Sequence, residues 1–398
     1  MGASSETMKE NKGTIVYIGG FEMPDKNAAA HRVLNNAKIL RQLGYNVVFC
    51  GVDKDHKPLV CKQKEIVGFE NWPSSYPTSA KAWIKQLLDF SYIKDILELY
   101  GDVKYVIGYN MHAIPLKKLL VYCRRHGIKV ISDLTEWYEN KFSFQPVKLL
   151  KYIDTAYVMQ ILQKKVDGMI AISPYLASFY ARYVKNIIVL PPLVDIQEEK
   201  WNLTDNSSES RIQFVYSGSP GNFSSYKCEK DKLRDIIECF YSIYAEMDFH
   251  YTVIGITKQQ FLDANPQSFE MVNAMGEKVS FWGKLPHNES IKALNSADFC
   301  IFIRDKSRKN MAGFPTKFVE CVTSGIGIIA NDISNIKEYF PADDKSILLS
   351  DSDTESLSRA IRQVMTLDLQ ALRSHRQRNS IFDYRKYFDE IETFINKI

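Results

Sequence analysis

Cations crowd one short stretch of this chain: Arg304, Arg308, Lys309 and Lys317, with Glu320 three residues beyond the last of them. A single acid, Asp305, stands among them before Glu320. Side chains of these types suit a ligand with two phosphates and a sugar ring. Cations neutralise the phosphates, and a helix that starts near Pro315, Thr316 and Lys317 adds unpaired backbone N–H groups and the positive end of its dipole. Glu320, about one turn further in, is placed to accept hydrogen bonds from ribose hydroxyls. The chemistry this points to is recognition of a nucleoside diphosphate. One lone acid among several cations makes a poor Mg²⁺ site, so a metal-free mode is expected. The Asp-x-Asp pairs Asp53-Lys54-Asp55 and Asp351-Ser352-Asp353 lie outside this stretch.

Elements must hold these groups, and the periodicity names them. An apolar β-rich run, Phe299–Ile303, opens into the basic, Gly/Pro-bearing loop Arg304–Pro315, which leads to a short amphipathic helix and a second apolar run, Ile326–Ala330. The same alternation of β-rich and helical segments fills the chain. The first half has runs at Thr14–Ile18, Asn46–Val52, Tyr105–Tyr109, Lys129–Ser132, Met169–Ile172 and Ile187–Leu190. The second has Gln213–Tyr216, His250–Ile254, Val279–Trp282, Phe299–Ile303, Ile326–Ala330 and Ser346–Leu349. Six and six predict an α/β protein with two Rossmann-like domains and parallel sheets. At 398 residues, 45% hydrophobic and 25% charged, the chain is long enough for two cores.

A net charge of +4 does not suggest a nucleic-acid binder, but it suits anionic ligands or an acidic membrane surface. Seven cysteines without C-x-x-C spacing indicate neither zinc nor a disulfide framework, and therefore reduced thiols in a cytoplasm. No run reaches the ~20 apolar residues a membrane span requires, and the polar start is neither signal peptide nor anchor.

The stretch Gly313-Phe314-Pro315-Thr316-Lys317-Phe318-Val319-Glu320, with Ser324-Gly325 behind it, resembles the donor-binding signature of retaining, family-four (group 1) GT-B glycosyltransferases, closest in motif to capsule and surface-polysaccharide transferases. That family carries two acids separated by seven residues. The second matches Glu320, while Ala312 stands where the first belongs. The resemblance implies a GT-B architecture, two Rossmann-like doubly wound domains facing across a cleft. It divides the chain into a disordered tail (1–13), an N-terminal acceptor domain (14–195), a linker (196–210), a nucleotide-sugar donor domain (211–377) and a C-terminal helix (378–398) that crosses back to the first domain. It also implies that Gly313, Phe314, Pro315, Thr316, Lys317 and Glu320 bind the donor.

Other stretches fall where strand ends should open toward a ligand. Gly218 and Ser219 follow the first strand of the second half, and similar enzymes place an Arg at the position of Ser219. Lys230 is the candidate for a phosphate-pairing lysine, with Lys227 and Lys232 as competitors, and Arg304 is expected at the leaving diphosphate. Trp282, Gly283, Lys284 and Leu285 resemble a turn that holds the base through backbone groups, although a plain strand end also fits. In the first half Gly19 and Gly20 form either a ligand-facing turn or a simple tight one. Arg32 either reaches into a cleft or makes a surface ion pair. His112 is a candidate acid or base, or only a helix-start residue. Asp133 and Glu136, beside Trp137 and Tyr138, either bind sugar hydroxyls or form an N-cap with its third-position Glu. Ser173 is expected to cap a helix. Residues 140–166, basic and aromatic, form either a membrane-lying helix or one packed in its domain.

The expectation is a cytoplasmic, metal-independent hexosyltransferase without a cofactor. It would take a nucleoside diphosphate sugar, UDP- or GDP-linked, as co-substrate and a glycan or lipid-linked glycan as acceptor, with peripheral membrane contact and no nucleic-acid partner. The alternatives are a nucleotide-sugar 2-epimerase-like enzyme and an inactive GT-B binding subunit.

Overall fold

A computed structural model describes residues 11–54, 65–139, 142–203, 209–219 and 230–398. The chain forms two compact units: residues 1–194, 312–314 and 383–398 make the first, and residues 195–311 and 315–382 the second.

The strands of the first unit are β1 (Thr14–Gly19), β2 (Asn46–Cys50), β3 (Val52–Asp53), β4 (Glu70–Asn71), β5 (Ser74–Ser75), β6 (Val103–Tyr109), β7 (Lys129–Leu134), β8 (Gly168–Ala171) and β9 (Asn186–Val189). Seven of them form one parallel sheet in the order β4-β2-β1-β6-β7-β8-β9, and β3 pairs with β5 separately. The six expected runs are all present. The seventh strand, β4, was missed because two residues carry no alternation to read. The run Asn46–Val52 is broken at Gly51, where an added Cβ would lie 2.4 Å from the Phe21 carbonyl oxygen. Helices α1 (Ala28–Gln42), α2 (Ala80–Leu88), α3 (Ser91–Leu99), α4 (Ala113–His126), α5 (Pro146–Tyr157) and α6 (Pro174–Tyr180) connect the strands.

The second unit has the parallel order β12-β11-β10-β13-β14-β15, from β10 (Ile212–Ser217), β11 (Phe249–Ile254), β12 (Val279–Gly283), β13 (Phe299–Phe302), β14 (Gly327–Asn331) and β15 (Ile347–Leu349). Its helices are α7 (Leu233–Tyr241), α8 (Lys258–Ala264), α9 (Phe269–Met275), α10 (His287–Asn295), α11 (Arg308–Ala312), α12 (Thr316–Ser324), α13 (Thr354–Val364) and α14 (Leu369–Ser374). The stretch expected as one basic loop therefore contains a helical turn, α11, which carries Arg308 and Lys309. A core of Phe214, Tyr216, Phe240, Phe249 and Tyr251 fills this unit, and Tyr17, Phe21 and Phe49 belong to the core of the first.

Three boundaries differ from expectation. Residues 1–10 of the predicted tail lie outside the described residues, but Lys12 N–H donates to the Gly44 carbonyl at 3.0 Å, so the end of that stretch is already attached. The predicted linker holds a 3-10 turn, Glu199–Trp201, whose Trp201 is buried, and Asn295 Nδ2 donates to the carbonyls of Lys200 and Asn202. The turn Glu199–Trp201 is therefore packed. The C-terminal helix begins only at Phe388, because residues before it serve other pairings: Asn379 N–H donates to the Thr323 carbonyl, and Val194 bridges to Asp383. Phe394 and Ile395 of that helix enter the core of the first unit.

Candidate functional site

In the second unit Tyr216 lies on β10, two residues before Gly218, and its hydroxyl donates to Asp231 Oδ2 at 2.7 Å. Asp231 precedes α7 and is fully buried. Its other oxygen accepts from Arg304 Nε at the end of β13, and Lys317 Nζ, in the first turn of α12, donates to Oδ2 at 2.6 Å. The ammonium also sits 3.7 Å from the centroid of the Tyr216 ring. Burial raises the Asp231 pKa, but the Arg304 and Lys317 charges more than reverse this and hold the carboxyl well below its usual range. Burial lifts the Tyr216 phenol well above its ordinary value, and the Asp231 charge adds to that. The Lys317 ammonium is pulled down by burial against the attraction of Asp231. Two cations on one carboxylate leave one positive charge at this place.

That charge is directed at Gly218. The glycine has φ +127°, and a Cβ there would meet Lys317 Nζ and Cε at 3.6 Å, so bare backbone covers the ammonium. Beside it, α12 starts at Pro315 without any side-chain cap, and the Phe318 N–H turns back to the Pro315 carbonyl at 3.0 Å. Glu320 is half-buried one turn inside, with His287 Nε2 3.2 Å from its Oε1. These features gather Gly218, Thr316, Lys317 and Glu320. Ser219 follows Gly218 directly, and the half-buried Lys230 precedes Asp231. Its competitor Lys232 bonds to Ser352 and Asp305, and Lys227 lies outside the described residues.

Several expectations are corrected. Arg304 is not a phosphate-facing cation; it is buried and its Nε is committed to Asp231, while the Asn331 side chain holds its backbone at 2.9 and 2.8 Å. Gly283 does not offer its backbone to a base. Its N–H donates to the Ile256 carbonyl at 3.2 Å, and its own carbonyl accepts from Gly255 N–H at 2.7 Å. Trp282 and Lys284 are exposed and Leu285 is half-buried beside this turn. Gly313 and Phe314 group with the first unit, where Ser173 Oγ donates to the Ala312 carbonyl at 2.6 Å. Ser173 also caps α6 as expected.

In the first unit Asp133 lies in β7 and is fully buried, so it is neither an N-cap nor open to a sugar. It accepts from Arg32 Nε at 2.8 Å and from the Tyr17 hydroxyl. Arg32 Nη1 is spent on the carbonyls of Leu190 and Pro191 at 2.8 and 3.2 Å, so Arg32 is an internal anchor and not a cleft or surface group. Trp137 is also interior, edge-on to Phe179 at 4.8 Å, and Glu136 is half-buried.

Gly19, Gly20 and His112 do come together. They line a cleft of about 690 Å³ with Lys54, Tyr76 and Asn110. Gly19 is required, because a Cβ would stand 2.2 Å from the Tyr109 carbonyl oxygen, whereas Gly20 has open space. His112 Nδ1 is 2.9 Å from Asp154 Oδ2, and Asp154 Oδ1 accepts from Ala113 N–H at 2.8 Å. Asp154 thus orients the imidazole and caps α4 from another helix. Sequence reasoning missed Asp154, Asp231 and His287; the only local signal was an acid between two lysines at Lys230-Asp231-Lys232. Among the described residues no group of three or more His, Cys, Asp or Glu could hold a metal ion.

Residues 218–366 match the family model for glycosyl transferases group 1. No curated protein sequence matches the chain significantly. Among solved structures, sucrose-phosphate synthase from Thermosynechococcus elongatus is similar at TM-score 0.69 and 12% identity, over 97% of this chain and 98% of that one. A glycosyltransferase from Rickettsia africae gives 0.66 and 14%, over 97% and 99%. HepE from Anabaena, in complex with UDP and glucose, gives 0.60 and 12%, over 97% and 100%. At these identities the likeness shows the fold, which is GT-B. The chain has the GT-B fold, and its residues 218–366 match the family of glycosyl transferases group 1.

Proposed function

We propose that the chain is a retaining transferase that moves a sugar from a UDP- or GDP-linked donor to a glycan or lipid-linked glycan in surface-polysaccharide synthesis. It works without a metal, in the cytoplasm and peripherally at the inner face of the membrane. The observation that carries this reading is the bare backbone of Gly218 over Lys317, beside the uncapped start of α12. When the bond from the sugar carbon to the diphosphate oxygen breaks, negative charge grows on the diphosphate. A fixed positive cluster and a helix N-terminus stabilise charge that develops there without reorganising. Glu320 accepts hydrogen bonds from the ribose hydroxyls, and Ser219 and Lys230 lie beside the phosphates. The UDP and glucose held by the Anabaena protein support a uridine donor. The cleft at Gly20 and His112 takes the acceptor, and the acceptor oxygen forms its new bond on the face the diphosphate leaves, passing its proton toward the departing oxygen.

Calorimetry with UDP and GDP tests the donor site, and transfer in excess EDTA tests the metal-free chemistry. Binding of neither diphosphate overturns the reading, and activity that vanishes with EDTA and returns with Mg²⁺ overturns its metal-free part. One observation favours a binding subunit instead: Ala312, where the family has its first acid, is buried, so no side chain there reaches a sugar. Nucleotide binding with neither transfer nor hydrolysis would select that reading.

A further inference from the structure

Not one of the twelve residues of helix α5 is buried. Val147, Leu150 and Ile153 repeat every third position along it, and they are 48%, 38% and 53% exposed. Just before the helix Phe144 is 89% exposed, and Phe142 packs edge-on against Phe144 and Tyr152 at 5.1 and 5.7 Å. These rings therefore satisfy one another at the surface and leave their outer faces to something else. A helix that packs its apolar stripe into its own domain would not look like this.

Charge says what that partner is. Between residues 142 and 165 the cations are Lys148, Lys151, Lys164 and Lys165, and the sole acid is Asp154, whose two oxygens are taken by His112 and the Ala113 N–H. The face continues onto α2, where Ile84 and Leu88 are exposed one turn apart beside the exposed Lys81 and Lys85. Lys151 Nζ lies 5.1 Å over the ring of Trp83 on α2, which joins the two helices. Aromatic and aliphatic side chains ringed by lysines fit the boundary between lipid headgroups and acyl chains, where the stems bury and the ammonium groups pair with phosphates. A second copy of the chain fits badly, because an isologous contact would set these lysines against themselves. No helix among the described residues is long and apolar enough to cross a membrane, so the contact is with its surface.

We infer that α5, with Phe142, Phe144 and the exposed edge of α2, docks this protein on an anionic lipid bilayer. The inference rests on the proposed acceptor chemistry and deepens it. Asp154 lies on α5 itself and holds His112 at the cleft, so docking brings that cleft to the headgroup plane, where a lipid-borne acceptor is found.

The test uses the whole chain and sedimentation with vesicles of phosphatidylcholine, with and without phosphatidylglycerol. Binding is expected only with the anionic lipid. The double variant Phe144→Asp with Ile153→Asp should lower it at least tenfold. Replacing Lys148 and Lys151 by Gln should lower it by about fivefold per lysine and flatten its salt dependence. Equal binding to both vesicle types, unchanged binding in the aspartate variant, no binding by the wild type, or a dimer that the aspartate variant dissociates would each overturn the inference. UDP and GDP calorimetry on the wild type separates the two readings: diphosphate binding without vesicle binding counts against docking alone, and vesicle binding without diphosphate binding counts against the donor site alone.

Discussion

Each unit buries a tyrosine, an aspartate and an arginine at the end of a central strand, and the two clusters differ by a single lysine. Tyr17-Ile18-Gly19 closes β1, and Tyr216-Ser217-Gly218 closes β10. In both the phenol and an arginine Nε bond to a fully buried carboxylate, Asp133 in one and Asp231 in the other. The first cluster balances one cation with one anion beneath a glycine pressed against Tyr109. The second adds Lys317 beneath Gly218, where an added Cβ would meet that lysine's Nζ and Cε only at 3.6 Å. Similar internal chemistry is thus charge-balanced in one unit and carries one extra cation in the other. The proposed donor site lies at the overcharged cluster.

The largest effect should come from removing each carboxylate. Asp231→Asn leaves two buried cations facing each other, and Asp133→Asn leaves one, so urea denaturation should show losses of about 3–5 kcal/mol, with Asp231 at the upper end. Equal losses would erase the distinction. UDP or GDP should recover part of the Asp231→Asn loss and none of the Asp133→Asn loss. Glu320→Ala should weaken diphosphate binding by about 1.5–3 kcal/mol in calorimetry with thermal unfolding nearly unchanged. Unchanged affinity would remove Glu320 from the site.

The glycines offer a third contrast. Gly218→Ala has room, so its cost should be the left-handed backbone alone, about 1–2 kcal/mol, together with weaker diphosphate binding as the methyl covers Lys317. Gly19→Ala must move the Tyr109 backbone and should cost more stability without touching affinity for the diphosphate.

The smallest effect lies at alkaline pH. Burial raises both phenols well above their ordinary value, with the neighbouring aspartate adding to it. A raised folded pKa gives stability that is full below about pH 10, the unfolded value, and is lost as pH rises toward the folded one. Each tyrosine should therefore cost about 1 kcal/mol over the first pH unit above 10, and Tyr17→Phe or Tyr216→Phe should each flatten that fall by one tyrosine's share. Asp231 works in the other direction. Its contribution is present above about pH 4 and is lost only as acid passes far below that, through the depressed folded pKa.

All twelve β-rich runs became strands because apolar alternation and Gly or Pro punctuation are local signals. The start of α12 was legible for the same reason, since Pro315 and Lys317 sit within one turn of each other. The clusters were not legible. Arg32 and Asp133 are 101 residues apart, and Asp231 finds Arg304 and Lys317 at separations of 73 and 86. Charged residues read locally look like ligand-facing or solvated groups, and only the sheet order decides which of them face inward. Arg304 and Asp133 were misassigned on that account. His112 was found because it follows β6 directly, but Asp154, which positions it, comes from a helix 42 residues later.

The first unit takes its last core residues, Tyr384, Ile391, Phe394 and Ile395, from the far end of the sequence. During synthesis the second unit can therefore complete its sheet while the first still waits, with part of its apolar interior uncovered. Closure of the first unit waits for these residues, and a ribosome that stalls before Tyr384–Ile395 have been made would release a chain with one finished unit and one open one. Such a chain would be a substrate for chaperones and proteases at its N-terminal half, although every residue of that half had been made correctly.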